Sequence, residues 1–166
     1  MRFSDKLTVT ALDRDTRIPA KNVAILLVLF AARKNDYCVG PLITDEKGQV
    51  HFTRKDCEFA IERAKKMFLM DYQGGLEDCR PFVEVRLHRP ESIQTMLRNY
   101  TKNRIFWGGG FQDPERLFAG LEKVTNADYE PASLRVSEEQ VLNNQEIELP
   151  LLKMRLVSGN ALRSNA

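Results

Sequence analysis

Residues 44–52 read Thr44-Asp45-Glu46-Lys47-Gly48-Gln49-Val50-His51-Phe52, and the first half of the chain is organised around them. The stretch has the form of a strand ending, a tight polar turn, and a second strand that alternates. In that second strand Gln49 and His51 point one way, Val50 and Phe52 the other. Asp45 suits the turn because its carboxylate can bond nearby backbone, and Gly48 because it accepts positive φ. The stretch is read as a β-hairpin.

Upstream, Leu7, Val9 and Ala11 alternate with Thr8, Thr10 and Leu12, which predicts a first strand over Lys6–Leu12. A charged turn follows at Asp13–Arg17, and Pro19 interrupts regular pairing there. The run Val23–Phe30 is continuously apolar, so periodicity alone does not assign it. Val23, Ile25 and Val28 are β-branched and favour a strand buried on both faces over a buried helix. A third strand spans Tyr37–Ile43, and Gly40-Pro41 within it predicts a bulge or an edge position.

Downstream the period changes. Cys57, Ala60, Ile61, Ala64, Met67 and Phe68 recur at three and four residues, which lays an apolar stripe along a helix of about Asp56 to Asp71. Thr53 or Asp56 caps its start, and Gln73-Gly74-Gly75 stops it. Pro81 opens another strand, with Phe82, Val83, Val85 and Leu87 apolar and Glu84, Arg86 and His88 outward. Residues 91–125 read as a helical region broken by Arg104-Ile105-Phe106-Trp107-Gly108-Gly109-Gly110-Phe111. Leu134 and Val136 mark a short strand. Ile147, Leu149 and Leu151 alternate with Glu146, Glu148 and Pro150 in a closing strand that Pro150 places at an edge. Residues 158–166 are small and polar and read as a flexible tail.

A chain of 166 residues buries enough surface to fold without disulfides or metal, and 1–157 is read as a single domain. The net charge of +2 gives no ground for a nucleic-acid partner, and no apolar run is long enough for a transmembrane helix. The N-terminal residues lack the apolar core of a signal peptide. Three cysteines, an odd number, suit a reducing compartment, and a cytoplasmic location is expected. The expected architecture is mainly β, an α+β variant: an antiparallel β-sandwich of about seven strands with two or three accessory helices.

Taken together, Lys6–Leu12, Arg17-Ile18-Pro19, Val23–Phe30 and the Thr44-Asp45, Gly48 and Phe52 pattern resemble the transthyretin-like (prealbumin-like) β-sandwiches, which include carboxypeptidase regulatory-like domains. The segment Gln145–Leu151 is similar to that family's final strand. The helix after residue 56 and the helical region at 91–125 depart from the family pattern. The resemblance implies an accessory or interaction module. Some members are hydroxyisourate hydrolases with several site histidines and a C-terminal Tyr-Arg-Gly-Ser. This chain has only His51 and His88 and ends Arg163-Ser164-Asn165-Ala166, so that activity does not carry over.

The residues offer little catalytic pattern. His51 and His88 fall at outward strand positions, where a solvated histidine is the ordinary reading. No paired His/Cys spacing supplies the three or four ligands of a metal site, and no cofactor is implied. Cys57 sits in a first helical turn but also on the apolar stripe, which favours a buried, inert thiol. Gly108-Gly109-Gly110 lacks the Lys-Ser/Thr of a phosphate loop. Trp107 and Phe111 around these glycines, with Arg104 beside them, form the sequence-level candidate for a partner-binding site; their alternative is packing on the core beneath a loop. The expected function is a non-enzymatic interaction module that binds another protein. A small-ligand or carbohydrate-binding sandwich is the alternative, followed by an enzyme with an unfamiliar Cys or His site.

Overall fold

A computed structural model describes residues 5–31, 35–68, 74–86, 123–137, 139–140 and 146–154. Among these, β1 (Lys6–Asp13), β4 (Gln49–Thr53) and β7 (Glu146–Leu151) form a three-stranded sheet in the order β4-β1-β7. β2 (Ala24–Ala31), β3 (Asn35–Ile43), β5 (Arg80–Val85) and β6 (Ala132–Arg135) form a four-stranded sheet in the order β3-β2-β5-β6. One α-helix, α1 (Arg54–Phe68), and two short 3-10 turns complete the described elements. The described residues are mainly β, with seven strands in two sheets, as the alternation predicts.

The two sheets share one apolar cluster. Leu7, Val9 and Ala11 of β1 and Ile147, Leu149 and Leu151 of β7 belong to the same buried group as Ile25, Leu27, Leu29, Val83 and Val85. β7 buries only its inward residues, alternating exposed Glu146, Glu148 and Pro150 with buried Ile147, Leu149 and Leu151. The apolar run of β2 is the central exception, buried at every position except Phe30. Both neighbours of β2 in the sheet, β3 and β5, pair with it antiparallel. The strand reading of that run therefore holds over the helical one.

Residues 44–52 do not form the expected hairpin, since β3 and β4 belong to different sheets. Asp45 and Gln49 close a single rung, in which the Asp45 N–H donates to the Gln49 carbonyl at 3.1 Å. The Asp45 carboxylate accepts the N–H groups of Lys47 and Gln49, each at 2.9 Å, and Gly48 takes φ +71°. This is the turn chemistry the sequence announces. Beyond that rung the two arms part. Thr44 stays with the four-stranded sheet: its N–H donates to the Val23 carbonyl at 2.9 Å, and its buried hydroxyl bridges Ala20 and Val23. Gln49 instead pairs with Thr10 of β1. The turn thus carries the chain from one sheet to the other rather than folding a hairpin. Local turn chemistry fixes the reversal but leaves the partner of each arm to tertiary packing.

A second departure concerns strand direction. β1 pairs with β4 antiparallel but with β7 parallel, from Thr8 opposite Glu146 to Asp13 opposite Leu151. Alternation determines which face a strand buries, not the direction in which it runs. The edge assignments agree with expectation: β7, with Pro150, ends one sheet and β3 ends the other. The β2–β3 ladder slips between Ile25 and Leu27, opposite Gly40-Pro41, which is the expected bulge.

α1 begins one residue after Thr53, whose hydroxyl accepts the Asp56 N–H at 3.2 Å while the Asp56 carboxylate accepts the Thr53 N–H at 3.3 Å. This reciprocal cap satisfies two amides that the first turn would leave open. Cys57, Ala60 and Ile61 are buried, and the helix packs against β3 and β4. These three stripe residues are therefore core. The expected helices in 91–125, for all but the last three residues, and the tail at 158–166 lie outside the described residues.

Candidate functional site

Trp107, Phe111 and Arg104, the residues singled out from sequence for partner binding, lie outside the described residues, as does His88. The other candidates have defined surroundings. The Cys57 thiol is buried, and burial pushes its pKa up. Cys79 is also buried, and its pKa is pushed up to about 11, by burial first and by the nearby Asp78 charge second. No disulfide joins any of the three cysteines. Neither buried thiol is a competent nucleophile near neutral pH, because the thiolate is the reactive form.

His51 belongs to a polar lattice on the outer face of the three-stranded sheet. Period-2 alternation puts Thr8 and Thr10 of β1 beside Gln49 and His51 of β4, with Glu146 and Glu148 on β7. Nδ1 of His51 lies 3.0 Å from the Thr8 hydroxyl. The Glu146 carboxylate accepts from the Thr10 hydroxyl and, at 2.8 Å, from the Gln49 amide. Those two hydrogen bonds, Thr10 first, hold Glu146 below the usual carboxylate range. Partial burial, followed by the Lys6 charge, lowers the His51 pKa and favours the neutral ring. Arg17 pairs with Glu148 at 2.6 Å. Among the described residues no group of three or more His, Cys, Asp or Glu side chains is placed to hold a metal ion.

The outer face of the four-stranded sheet differs. Its inward residues, such as Leu27, Leu29, Val83 and Val85, enter the core, so their neighbours face outward. Across the β2–β5 ladder Val28 stands opposite Phe82 and Phe30 opposite Arg80. Across β5–β6, Phe82 stands opposite Arg135. Phe30, Arg80, Phe82 and Arg135 therefore share one corner of this face. The face is closed over Leu26 and Val28, at 5% and 4% exposure, and opens at Phe30, at 45%. The rings of Phe30 and Phe82 meet edge-on, with centroids 6.3 Å apart. Arg80 and Arg135 are exposed, and neither forms an ion pair with another described residue.

An open groove of about 560 Å³ adjoins this corner, lined by Glu77–Pro81 and Arg135–Ser137. Its acids are engaged elsewhere. Glu77 takes a hydrogen bond from Arg54 at 2.7 Å, and Asp78 accepts the Gly75 N–H at 3.0 Å. The corner is an exposed aromatic pair flanked by two guanidinium groups on a rigid sheet. Such a surface can bury rings, stack planar groups and pair with carboxylates. Sequence reading did not find it because Phe30, the Arg80–Phe82 pair and Arg135 lie on three strands about fifty residues apart, and only the strand register brings them together. The signal that existed was Phe30 itself, the bulkiest residue at the end of the apolar run.

No protein-family model, curated protein or solved structure matches the chain.

Proposed function

We propose that the chain is a non-enzymatic interaction module that binds another protein through Phe30, Arg80, Phe82 and Arg135. The observation that carries this reading is the half-exposed Phe30 ring, stacked edge-on against Phe82 and bracketed by two arginines without acidic partners among the described residues. Aromatic residues and arginine are the types enriched at the energetic centres of protein interfaces. A paired-strand platform holds them in place, so little conformational freedom is lost on binding.

A transthyretin-like kinship belongs to the same proposal and is supported by the seven strands in two sheets that the described residues form around a common core. A cytoplasmic location is proposed with it, supported by three cysteines with no disulfide among them. No helix among the described residues is long and apolar enough to cross a membrane.

The test is affinity capture of the tagged chain from its native host lysate beside Phe30→Ser. Retention of a stoichiometric protein by the wild type and its loss from the variant is the expected result. Equal retention by both would remove the corner from the function.

A further inference from the structure

β6 ends the four-stranded sheet, so among the described residues one side of its backbone has no strand partner. The register identifies which groups face that side. The Val136 N–H donates to the Pro81 carbonyl at 3.0 Å, and the ladder pairs Phe82 with Arg135, Val83 with Leu134 and Glu84 with Ser133. In an antiparallel pair, hydrogen-bonded and non-hydrogen-bonded positions alternate. Val136 and Leu134 are therefore the bonded positions toward β5. The main-chain N–H and C=O of Ser133 and Arg135 point the other way, out from the sheet edge. Both residues are exposed.

On the sheet face beside this edge the charge is basic, while Glu130 and Glu139 lie beyond the two ends of β6. Arg135 lies on β6 itself, and Arg80 is its diagonal neighbour on β5. The acids on and just before β5 are already engaged: Glu84 pairs with Arg86 at 3.0 Å, Glu77 with Arg54 at 2.7 Å, and Asp78 accepts the Gly75 N–H. The groove at Glu77–Pro81 and Arg135–Ser137 opens beside the end of the same strand and leaves room for chain to pass. An edge strand that offers outward amides and carbonyls is the template for strand addition, in which the backbone supplies affinity and alternate side chains supply selectivity.

We infer that the partner presents an extended acidic segment, which adds as a fifth strand along β6 and sets its carboxylates against Arg80 and Arg135. This rests on the reading of the Phe30 corner as a protein-binding surface, and specifies the chemistry of what binds there. An incoming strand that pairs with Ser133 and Arg135 projects every second side chain over the face that carries Phe82 and Arg135. Acidic residues at those positions meet the Arg135 guanidinium and reach toward Arg80, one strand further in.

The test uses the full chain and a fluorescein-labelled ten-residue peptide of alternating Glu and Val, with a Lys-Val peptide of the same length as control. The expected result is saturable anisotropy for the acidic peptide and none for the basic one. Amide hydrogen exchange at Ser133 and Arg135 should slow on binding, while that of Leu134, already bonded to β5, should not change. Arg80→Glu with Arg135→Glu should raise the dissociation constant about tenfold. Ser133→Pro removes only an outward N–H, so the sheet is retained and binding is lost.

No binding of the acidic peptide at about 1 mM would overturn the inference. So would equal binding of both peptides, tighter binding of a single-stranded oligonucleotide of the same charge, or binding that leaves the Ser133 and Arg135 amides unprotected. If the acidic peptide fails while lysate capture still depends on Phe30, only the strand-addition inference falls. If capture ignores Phe30, the parent reading falls with it.

Discussion

Asn126 uses its side chain to stand in for a strand beside Ala24. Its Oδ1 accepts the Ala24 N–H at 2.7 Å, and its Nδ2 donates to the Ala24 carbonyl at 3.0 Å and to the Arg86 carbonyl at 2.9 Å. The residue is fully buried, so water cannot replace these bonds. One amide thus ties the 3-10 turn Asn126–Asp128 to the start of β2 and to the residue after β5.

Asn126→Ala would leave two carbonyls and one amide without that partner. The expected cost is about 2–4 kcal/mol of folding stability, read by urea unfolding. Asn126→Asp should fare no better, because a carboxylate can accept from Ala24 but cannot donate to either carbonyl. A loss below about 0.5 kcal/mol for Asn126→Ala would show that the turn is not anchored this way.

Gly48 is required by space as well as by conformation. It takes φ +71°, and a Cβ built on it would stand 2.5 Å from the Ala11 carbonyl oxygen. That oxygen belongs to the backbone of β1 and cannot swing aside. Gly48→Ala should cost about 1–3 kcal/mol and lower the melting temperature. Since the Gly48 carbonyl accepts the Ala11 N–H at 2.8 Å, amide exchange at Ala11 should quicken in the variant. An unchanged melting temperature would contradict the close approach.

Asp13 carries an acid-dependent part of the stability. The Thr16 backbone N–H, then the Thr16 hydroxyl, then Lys153 hold its pKa down at about 2, against 3.8 for the unperturbed group. A depressed folded pKa means that the contribution is present above about pH 4 and fades as the pH falls toward 2. The stability difference between wild type and Asp13→Asn should therefore narrow across that window. A difference that stays constant from pH 5 to about pH 2 would contradict the assignment.

Thiol chemistry gives a fourth check. Cys57 and Cys79 are buried with raised pKa values, while Cys38 is half-buried. Iodoacetamide at pH 8 should leave Cys57 and Cys79 unmodified in the folded chain and alkylate all three after denaturation. Rapid modification of Cys57 in the native state would mean that α1 does not seal the core at that point.

Much of the fold is legible in the sequence because burial on one face writes a period. β1, β4 and β7 alternate, α1 repeats at three and four residues, and the Thr53–Asp56 cap stands where a cap is expected. What the pattern omits is which strand lies beside which. Thr44–Phe52 carries the chemistry of a hairpin turn, yet its arms enter different sheets, because Val50 and Phe52 find their burial beside β1. The parallel course of β7 is silent for the same reason. The surface corner is hidden more deeply still. Phe30 reads as one more core residue in an apolar run, and Phe82 as one more in the strand after Pro81. Only the β2–β5–β6 register shows that both face outward with an arginine opposite each. Asn126 gives no local sign of its role, since all its partners are distant in sequence.

The Phe30–Phe82 contact sets a stability expectation for the corner itself. Phe30→Ser should cost only about 1 kcal/mol, the worth of an exposed edge-on aromatic pair, and leave the fold intact. A loss above about 3 kcal/mol would mean that Phe30 serves the core rather than the surface.

The most direct test places a photoreactive phenylalanine analogue at position 30 and, as a control, at Glu148 on the outer face of the other sheet, followed by irradiation in the native host. The expected result is one discrete protein adduct from position 30 and none from position 148. Adducts from position 148 alone, or the same diffuse background from both, would contradict a binding surface at the Phe30 corner.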